Sequence, residues 1–141
     1  MIIADSGFWL ALLWRRDRWH PLAREAYTRH AGEGFITTWP VVTEVCHLLG
    51  RSIGVEAQTA FLARIADHSI EISPLNPPDM LRAMDLMQRY TNLPMDLADA
   101  SLVILAEQLG HGRILSTDRR DFGTYRWKNR QPFENLLLGD A

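Results

Sequence analysis

Short apolar runs alternate along the chain with longer segments in which apolar residues recur at helical spacing. The short runs are bounded by turn residues and predict buried strands at 2–4, 35–38, 70–73 and 113–116, with a possible edge strand at 133–137. The longer segments predict helices at 8–14, 20–30, 40–50, 55–67, 80–90 and 100–109. Residues 117–123 are predicted as a loop. Helices that alternate with short strands indicate an α/β sandwich around a parallel sheet.

The composition indicates one compact domain over residues 1–141 rather than a repeat array or a disordered chain. Of the 141 residues, 47% are hydrophobic, and Gly and Pro are present in ordinary amounts. The longest apolar runs, such as 100–106, are far shorter than the roughly 20 residues that cross a bilayer. The amino terminus has no basic segment followed by a long apolar core, so we expect no signal peptide and a cytoplasmic location.

Charge, cysteine and histidine content narrow the possible functions further. A net charge of −2 argues against a protein that coats nucleic acid nonspecifically, although the acidic pocket of a nuclease would also lower the total. The single cysteine, Cys46, lies in an apolar segment, which predicts a buried thiol rather than a nucleophile. The five histidines include no pair at the spacing of zinc ligands.

Carboxylates stand next to the ends of several predicted elements. Asp5 and Asp118 each follow an apolar strand, and ligands of parallel sheets gather at the carboxyl ends of the strands. Asp96 and Asp99 precede the last long helix, and Glu44 lies at the edge of an apolar helix face. Each acid alone could be a turn residue, an N-cap or a solvated helix residue. Together they indicate an oxygen-ligand site for a divalent cation, and hence a metal-dependent phosphodiesterase.

Four motifs carry a resemblance to a known family: Ile2-Ile-Ala-Asp-Ser6, Thr43-Glu44-Val45, Pro94-Met-Asp-Leu-Ala-Asp-Ala100 and Leu115-Ser-Thr-Asp-Arg-Arg-Asp-Phe122. In their order and spacing, and over nearly its whole length, the chain resembles the PIN-domain family, and within it the VapC-type toxins of bacterial toxin-antitoxin pairs. The resemblance implies a PIN-like α/β/α sandwich with a central, mostly parallel sheet of four to five strands flanked by helices. It also implies an endoribonuclease that uses Mg²⁺ or Mn²⁺, a homodimer, and a small antitoxin whose tail covers the acidic groove.

The resemblance also assigns roles to individual residues. The catalytic acids that it implies are Asp5, Glu44, Asp99 and Asp118. Three of these are expected to bind the metal ion: Asp5, Asp99 and Asp118. Asp121 could share or replace the role of Asp118, and Asp96 could support the site without binding the ion itself. Ser6 and Thr117 resemble the small hydroxyl residues that steady the family's carboxylates, and turn or cap hydroxyls explain them equally well.

Several arginines follow Asp118 closely and could form a rim that faces phosphate. The candidate RNA-binding residues are Arg119, Arg120 and Arg126. A solvated surface explains such a cluster equally well. A phosphatase of the haloacid dehalogenase type is disfavoured, because it needs Asp-x-Asp near the amino terminus and Asp5 is followed by Ser6 and Gly7. The remaining alternative is a non-catalytic protein, or another PIN-like nucleic-acid-binding protein or phosphodiesterase outside a toxin-antitoxin pair.

Overall fold

The computed structural model describes residues 1–139 as alternating strands and helices. The strands are β1 (Ile2–Ala4), β2 (Phe35–Thr38), β3 (Ile70–Ser73), β4 (Arg113–Leu115), β5 (Arg126–Trp127), β6 (Gln131–Pro132) and β7 (Glu134–Asn135). The helices are α1 (Ser6–Leu13), α2 (His20–His30), α3 (Trp39–Ser52), α4 (Val55–Ala66), α5 (Asp79–Arg89), α6 (Leu97–Leu109) and α7 (Arg119–Thr124). No helix within this part of the chain is both long enough and apolar enough to span a membrane.

Five strands form one sheet in the order β3-β2-β1-β4-β7, and each pairing in it is parallel. The central strand is β1, whose Ile3 pairs with Ile36 of β2 and with Ile114 of β4. Because the strands are parallel, their carboxyl ends meet at one edge of the sheet. The flanked, parallel sheet confirms the predicted α/β sandwich with four to five strands.

The core lies between the central strands and the helices that pack on them. Ile2 and Ile3 are fully buried, and each such side chain stabilises the fold by about 1.5–3 kcal/mol. Helix α6 is apolar on all sides and buried from 100 to 106, which is typical of a helix inside a core. In α1, Phe8 and Trp9 pack edge to face with their ring centroids 5.0 Å apart, and Trp9 also packs on Phe61 of α4. These contacts fix the helix that directly follows Asp5.

Helix α7 occupies a segment that the sequence predicted as a loop. The side chain of Asp118 accepts a hydrogen bond from the backbone N–H of Asp121 at 2.9 Å, so it caps the first turn. Phe122 then buries its ring against Phe133, with centroids 5.2 Å apart. Capping and burial together stabilise a turn of helix that apolar periodicity alone does not reveal.

Two further elements differ from the prediction near the carboxyl end of the chain. The edge strand predicted at 133–137 is confined to β7, which pairs with β4. Strands β5 and β6 form an unpredicted antiparallel hairpin whose turn holds Lys128 and Asn129 at φ of 51° and 63°. Asparagine tolerates this left-handed region better than most residues. The hairpin packs beside α6 and extends the structure past the sheet.

Candidate active site

Asp5 follows the central strand and is held at the carboxyl edge of the sheet. Its Oδ1 accepts a hydrogen bond from the Ser6 backbone N–H at 2.7 Å, and its Oδ2 accepts one from the Ser116 hydroxyl at 3.0 Å. Its own N–H donates to the Leu115 carbonyl at 3.0 Å. The side chain is 7% exposed. Asp5 is therefore a fixed, nearly buried carboxylate between β1 and β4.

The environment of Asp5 favours its neutral form. Burial is the main cause that raises its pKa from 3.8 to about 6, and the negative charges of Glu44 and Asp118 add to the increase. The hydrogen bonds from Ser6 and Ser116 lower the pKa, because they stabilise the carboxylate, but they do not offset the burial. A positive ion at this place would restore the charged form.

Ser6 joins Asp5 to Glu44. Its hydroxyl donates a short hydrogen bond to Oε1 of Glu44 and lies 3.4 Å from Oδ1 of Asp5. The start of α3, which carries Glu44, is tied to α6 by a buried contact of 2.6 Å between the hydroxyls of Thr38 and Ser101. Ser6 therefore lies where a supporting hydroxyl was expected, and its function stays a prediction.

Asp99 lies in the first turn of α6. Asp96 caps this helix by accepting the Asp99 backbone N–H at 2.8 Å, and the Asp99 side chain accepts the Asp96 N–H at 3.4 Å. Burial first, and then the negative charges of Asp96 and Asp5, raise the pKa of Asp99 to about 8. The charge of Asp5, which follows β1, thus acts on Asp99 at the start of α6.

The buried Tyr125 adjoins the same acid. Its hydroxyl donates to the Pro94 carbonyl at 3.1 Å and lies 3.5 Å from Oδ2 of Asp99, at the long limit of a hydrogen bond. Burial and the neighbouring acids raise the pKa of Tyr125, so its hydroxyl keeps its proton. Tyr125 can therefore donate to Asp99, a contact that the sequence did not indicate.

Asp118 and Asp121 both lie beside Asp5. Burial, followed by the hydrogen bond and the charge of Asp118, raises the pKa of Asp121 to about 7, while Arg120 opposes this increase. The charge of Asp5 also acts on Asp121. The structure thus brings both candidates for the last acidic position to the site, and the choice between them stays a prediction.

The hydroxyl that reaches Asp5 from β4 is that of Ser116, whereas the sequence pointed to Thr117. Ser116 is fully buried, and its hydroxyl also accepts the Asp118 backbone N–H at 2.9 Å. This contact between a hydroxyl and the N–H two residues later is a common turn, which the sequence Ser-Thr-Asp could have indicated. Thr117 instead lies against Gly7, where an added Cβ would be 2.0 Å from the Thr117 Oγ1.

Asn135 supports Ser116 from β7. Its Nδ2 donates to the Ser116 carbonyl at 3.0 Å, and its Oδ1 accepts the Ser116 N–H at 3.4 Å and the Leu137 N–H at 3.0 Å. The segment that carries Asp118 is thereby tied to the edge strand. No sequence signal links two residues 19 positions apart in this way.

The three predicted RNA-binding arginines lie in different environments. Arg119 donates to the Leu138 carbonyl at 2.8 Å. Arg126 uses Nη1 to bind three carbonyls at the end of α7, at 3.0 to 3.1 Å. Arg120 is exposed and close enough to Asp121 to lower its pKa. Among the three, Arg120 is the one whose charge acts on the acidic site.

The donor set fits a hard divalent cation. Within residues 1–139, no ion pair joins a basic side chain to Asp5, Asp99, Asp118 or Asp121. In the same part of the chain, no group of three or more His, Cys, Asp or Glu side chains is already arranged to hold a metal ion. Mg²⁺ needs only one or two carboxylates and takes water as its other ligands. A buried Asp5 and the half-buried acids beside it, none of them in an ion pair, are therefore compatible with such an ion.

Comparison with known proteins gives both a sequence and a structural likeness. The chain is 26% identical over 125 residues to ribonuclease VapC26 of Mycobacterium tuberculosis. The aligned region covers 89% of this chain and 92% of the relative. The crystal structure of Mycobacterium tuberculosis VapC20, a sarcin-ricin loop cleaving toxin, matches with a TM-score of 0.79 at 20% identity, over 85% of this chain and 92% of that chain. The family model of the PIN domain matches residues 2–128. With the motifs at the sheet edge and a match over most of its length, the chain belongs to the PIN domain family.

Proposed function

We propose that this protein is a VapC-type toxin, a Mg²⁺- or Mn²⁺-dependent endoribonuclease that hydrolyses RNA phosphodiester bonds and is neutralised by a cognate antitoxin. The observation that carries the proposal is the cluster of acids at the carboxyl edge of the sheet. Burial raises the pKa values of Asp5 and Asp99 there, and among residues 1–139 no ion pair joins either of them to a basic side chain. The two mycobacterial relatives, one a ribonuclease and the other a toxin, support this choice within the PIN domain family.

The cluster divides into residues that bind the ion and residues that orient the reactants. Asp5, Asp99 and Asp118 are the acids that we assign to the ion, one or two of them as direct ligands and the others through bound water. When bound, such an ion neutralises charge on the phosphate and lowers the pKa of a coordinated water. Ser6 fixes Oε1 of Glu44, and we assign Oε2 of Glu44 to accept a proton from the attacking water.

The remaining site residues have supporting roles. Asp96 caps α6 and thereby fixes Asp99, while Asp121 lies beside Asp118 as the alternative ligand. Arg120 is assigned to bind a phosphate of the RNA. Arg119 and Arg126 donate some of their N–H groups to backbone carbonyls. Because a guanidinium has five N–H donors, each can also bind phosphate.

The proposal includes two protein contacts and a cytoplasmic location. Helix α5 exposes 74% of Leu81 and 55% of Met84, and exposed apolar side chains on one helix face are typical of protein interfaces. We assign this face to a homodimer contact, which sedimentation analysis of wild type and Leu81→Asp would test. A small reading frame beside the gene, encoding a protein that binds and inhibits this one, would identify the antitoxin.

The activity is tested on purified protein that has been separated from any bound antitoxin. The protein is incubated with a pool of cellular RNA in Mg²⁺ or Mn²⁺, next to an EDTA control. The isosteric variants Asp5→Asn and Asp99→Asn should abolish cleavage, whereas Glu25→Gln, which removes an exposed acid of α2, should leave it unchanged. Folded, metal-binding protein that binds RNA without cutting it would contradict the proposal and favour a non-catalytic role.

A further inference from the structure

A groove of about 780 Å³ lies beside the acids, between the first turns of α3 and α6. Its apolar part consists of Trp39, Pro40 and Leu97. Its polar part consists of Thr43, Glu44, His47 and Asp96, of which Glu44 belongs to the proposed active site. The groove therefore continues directly from the place where the phosphate of a substrate would lie.

Trp39 presents an exposed aromatic surface on a restrained backbone. Its side chain is 53% exposed, and Leu97 opposite is 40% exposed. Its backbone is fixed by the adjacent Pro40 and by the Thr43 hydroxyl, which donates to the Trp39 carbonyl at 3.2 Å. Clustered exposed apolar side chains commonly mark a binding site. A ligand that stacks on this ring would need little reordering of the protein.

We propose that this groove binds a nucleobase of single-stranded RNA, next to the phosphate that is cut, and that Trp39 is its stacking platform. The inference rests on the proposed ribonuclease function and specifies the substrate class: an RNA whose base is unpaired at the cut. Proteins that read RNA sequence commonly stack splayed bases on aromatic side chains. A phosphate held by a cation at the acids would place the base of the same nucleotide within reach of the adjoining groove.

The charges of the groove favour a base over the RNA backbone. Glu44 and Asp96 repel phosphate, whereas a carboxylate accepts hydrogen bonds from the exocyclic amino group of a base. Asp96 is exposed, so its carboxylate is accessible to such a group. We therefore expect adenine, cytosine or guanine to be preferred over uracil at this position.

A protein segment fits these charges less well. A second copy of the chain, or an antitoxin, that filled the groove would bury Glu44 and Asp96, and acidic residues are depleted from the cores of protein interfaces. A base requires only that the carboxylates lie at the rim. The observations thus favour RNA as the occupant.

The test compares Trp39→Ala and Trp39→Phe with wild type and with Leu62→Ala, which removes an exposed apolar side chain of α4, outside the groove. Cleavage of a pool of cellular RNA is followed by sequencing of the new ends, and kcat/KM is measured on a short oligoribonucleotide that contains the commonest cut site. Trp39→Ala should lower kcat/KM by at least about tenfold, the usual scale of one base stack, and relax the base preference beside the cut. Trp39→Phe should retain most of the activity and most of the base preference, and Leu62→Ala should match wild type.

The outcomes separate this inference from the proposed function. Absence of metal-dependent cleavage by wild type would overturn both. Cleavage by Trp39→Ala with unchanged kcat/KM and unchanged cut sites would overturn the base site and leave the ribonuclease intact. A smaller sedimentation coefficient for Trp39→Ala than for wild type would also overturn it, because the groove would then be a contact between copies of the chain.

Discussion

Individual hydroxyl groups control the protonation of the buried acids. Burial raises the pKa of Asp5, and the Ser116 hydroxyl opposes this effect because it donates to the charged form. Asp5 must be ionised to bind a cation, so this hydrogen bond favours the form of Asp5 that can bind it. Ser116 thus acts on the chemistry through Asp5.

Ser116→Ala should shift the acidic limb of the pH–activity profile upward. Without the hydroxyl, the pKa of Asp5 rises further above 6, and kcat/KM at pH 6 should fall about five- to tenfold, as expected for the loss of one hydrogen bond to a charged group. Thr117→Ala is the matched control, because its hydroxyl lies against Gly7 rather than Asp5. If both variants keep the wild-type profile, Ser116 does not tune Asp5.

Tyr125→Phe tests the second hydroxyl. The variant leaves the Pro94 carbonyl without its 3.1 Å donor and removes the group next to Asp99, so stability should fall by about 1 kcal/mol. The concentration of Mg²⁺ for half-maximal activity should rise, because Asp99 is less well positioned. Tyr27→Phe removes a hydroxyl that accepts from Arg64 at 3.0 Å, far from the acids. A stability loss in Tyr125→Phe without a change in Mg²⁺ dependence would show a purely structural role.

At the scale of elements, close contact between α1 and the segment after β4 brings Asp5 and Asp118 together. Gly7 is the point of contact, because a Cβ there would overlap the Thr117 Oγ1. A larger residue forces the Thr117 side chain to rotate or the two segments to move apart. The distance between the acids therefore depends on a residue that carries no chemistry.

Gly7→Ala should reduce activity more than stability. The added Cβ would lie 2.0 Å from the Thr117 Oγ1, so the loop must shift, and a shift of about 1 Å can cost about a hundredfold in rate. Combination with Thr117→Ala removes the clashing oxygen and should restore part of kcat. Gly32→Ala, where no atom lies within 4 Å of the new Cβ, is the control. Equal activity of Gly7→Ala and Gly32→Ala would contradict the argument.

The elements that the sequence predicted correctly are those with a clear period or cap. Strands β1, β2 and β3 and helix α2 have their predicted bounds, because apolar runs and flanking turn residues define them locally. Asp96 was open to two interpretations, a helix cap or a site residue, and the structure places it as a cap beside the acids. Asp96 can cap α6 and also belong to the site, because α6 begins at the edge of the sheet where the parallel strands end.

What the sequence did not reveal depends on distant contacts. Helix α7 forms because Phe122 packs on Phe133, and Ser116 is oriented by Asn135, 19 residues later in the chain. Tyr125 reaches Asp99 across 26 positions. Such pairs follow no local period, so periodicity and turn chemistry cannot identify them. The assignment of individual catalytic roles stays a prediction for the same reason: it depends on what the assembled site binds.

At the scale of the whole molecule, the net charge of −2 does not show that paired and unpaired acids lie in different parts of the structure. Elsewhere acids are paired: Glu33 contacts Arg113 and His30, and these contacts lower its pKa to about 2. At the sheet edge, by contrast, the charge of Asp5 raises the pKa values of Asp99 and Asp121. The folded protein therefore binds protons at this edge that the unfolded chain releases.

The metal-free protein should lose stability as the pH rises from about 5 to about 8. The pKa values of Asp5, Asp121 and Asp99 rise from 3.8 to about 6, 7 and 8, so the folded state holds more protons than the unfolded state in this window. The lowered pKa of Glu33 acts only at more acidic pH, whereas the lowered pKa of His111 opposes the trend near pH 6.5. Melting temperatures measured in EDTA across this range would show the slope.

Mg²⁺ should reverse this trend, because it binds the ionised carboxylates and competes with protons. Its stabilising effect on the melting temperature should be small at pH 5 and largest at pH 8, where fewer protons must be displaced. The double variant Asp5→Asn/Asp99→Asn removes both charges and both titrations, so its melting temperature should be higher than that of wild type in EDTA at pH 8 and insensitive to Mg²⁺. A wild-type protein whose stability at pH 8 does not respond to millimolar Mg²⁺ or Mn²⁺ would contradict a cation site at these acids. A double variant that keeps the wild-type slope would show that other groups carry the titration.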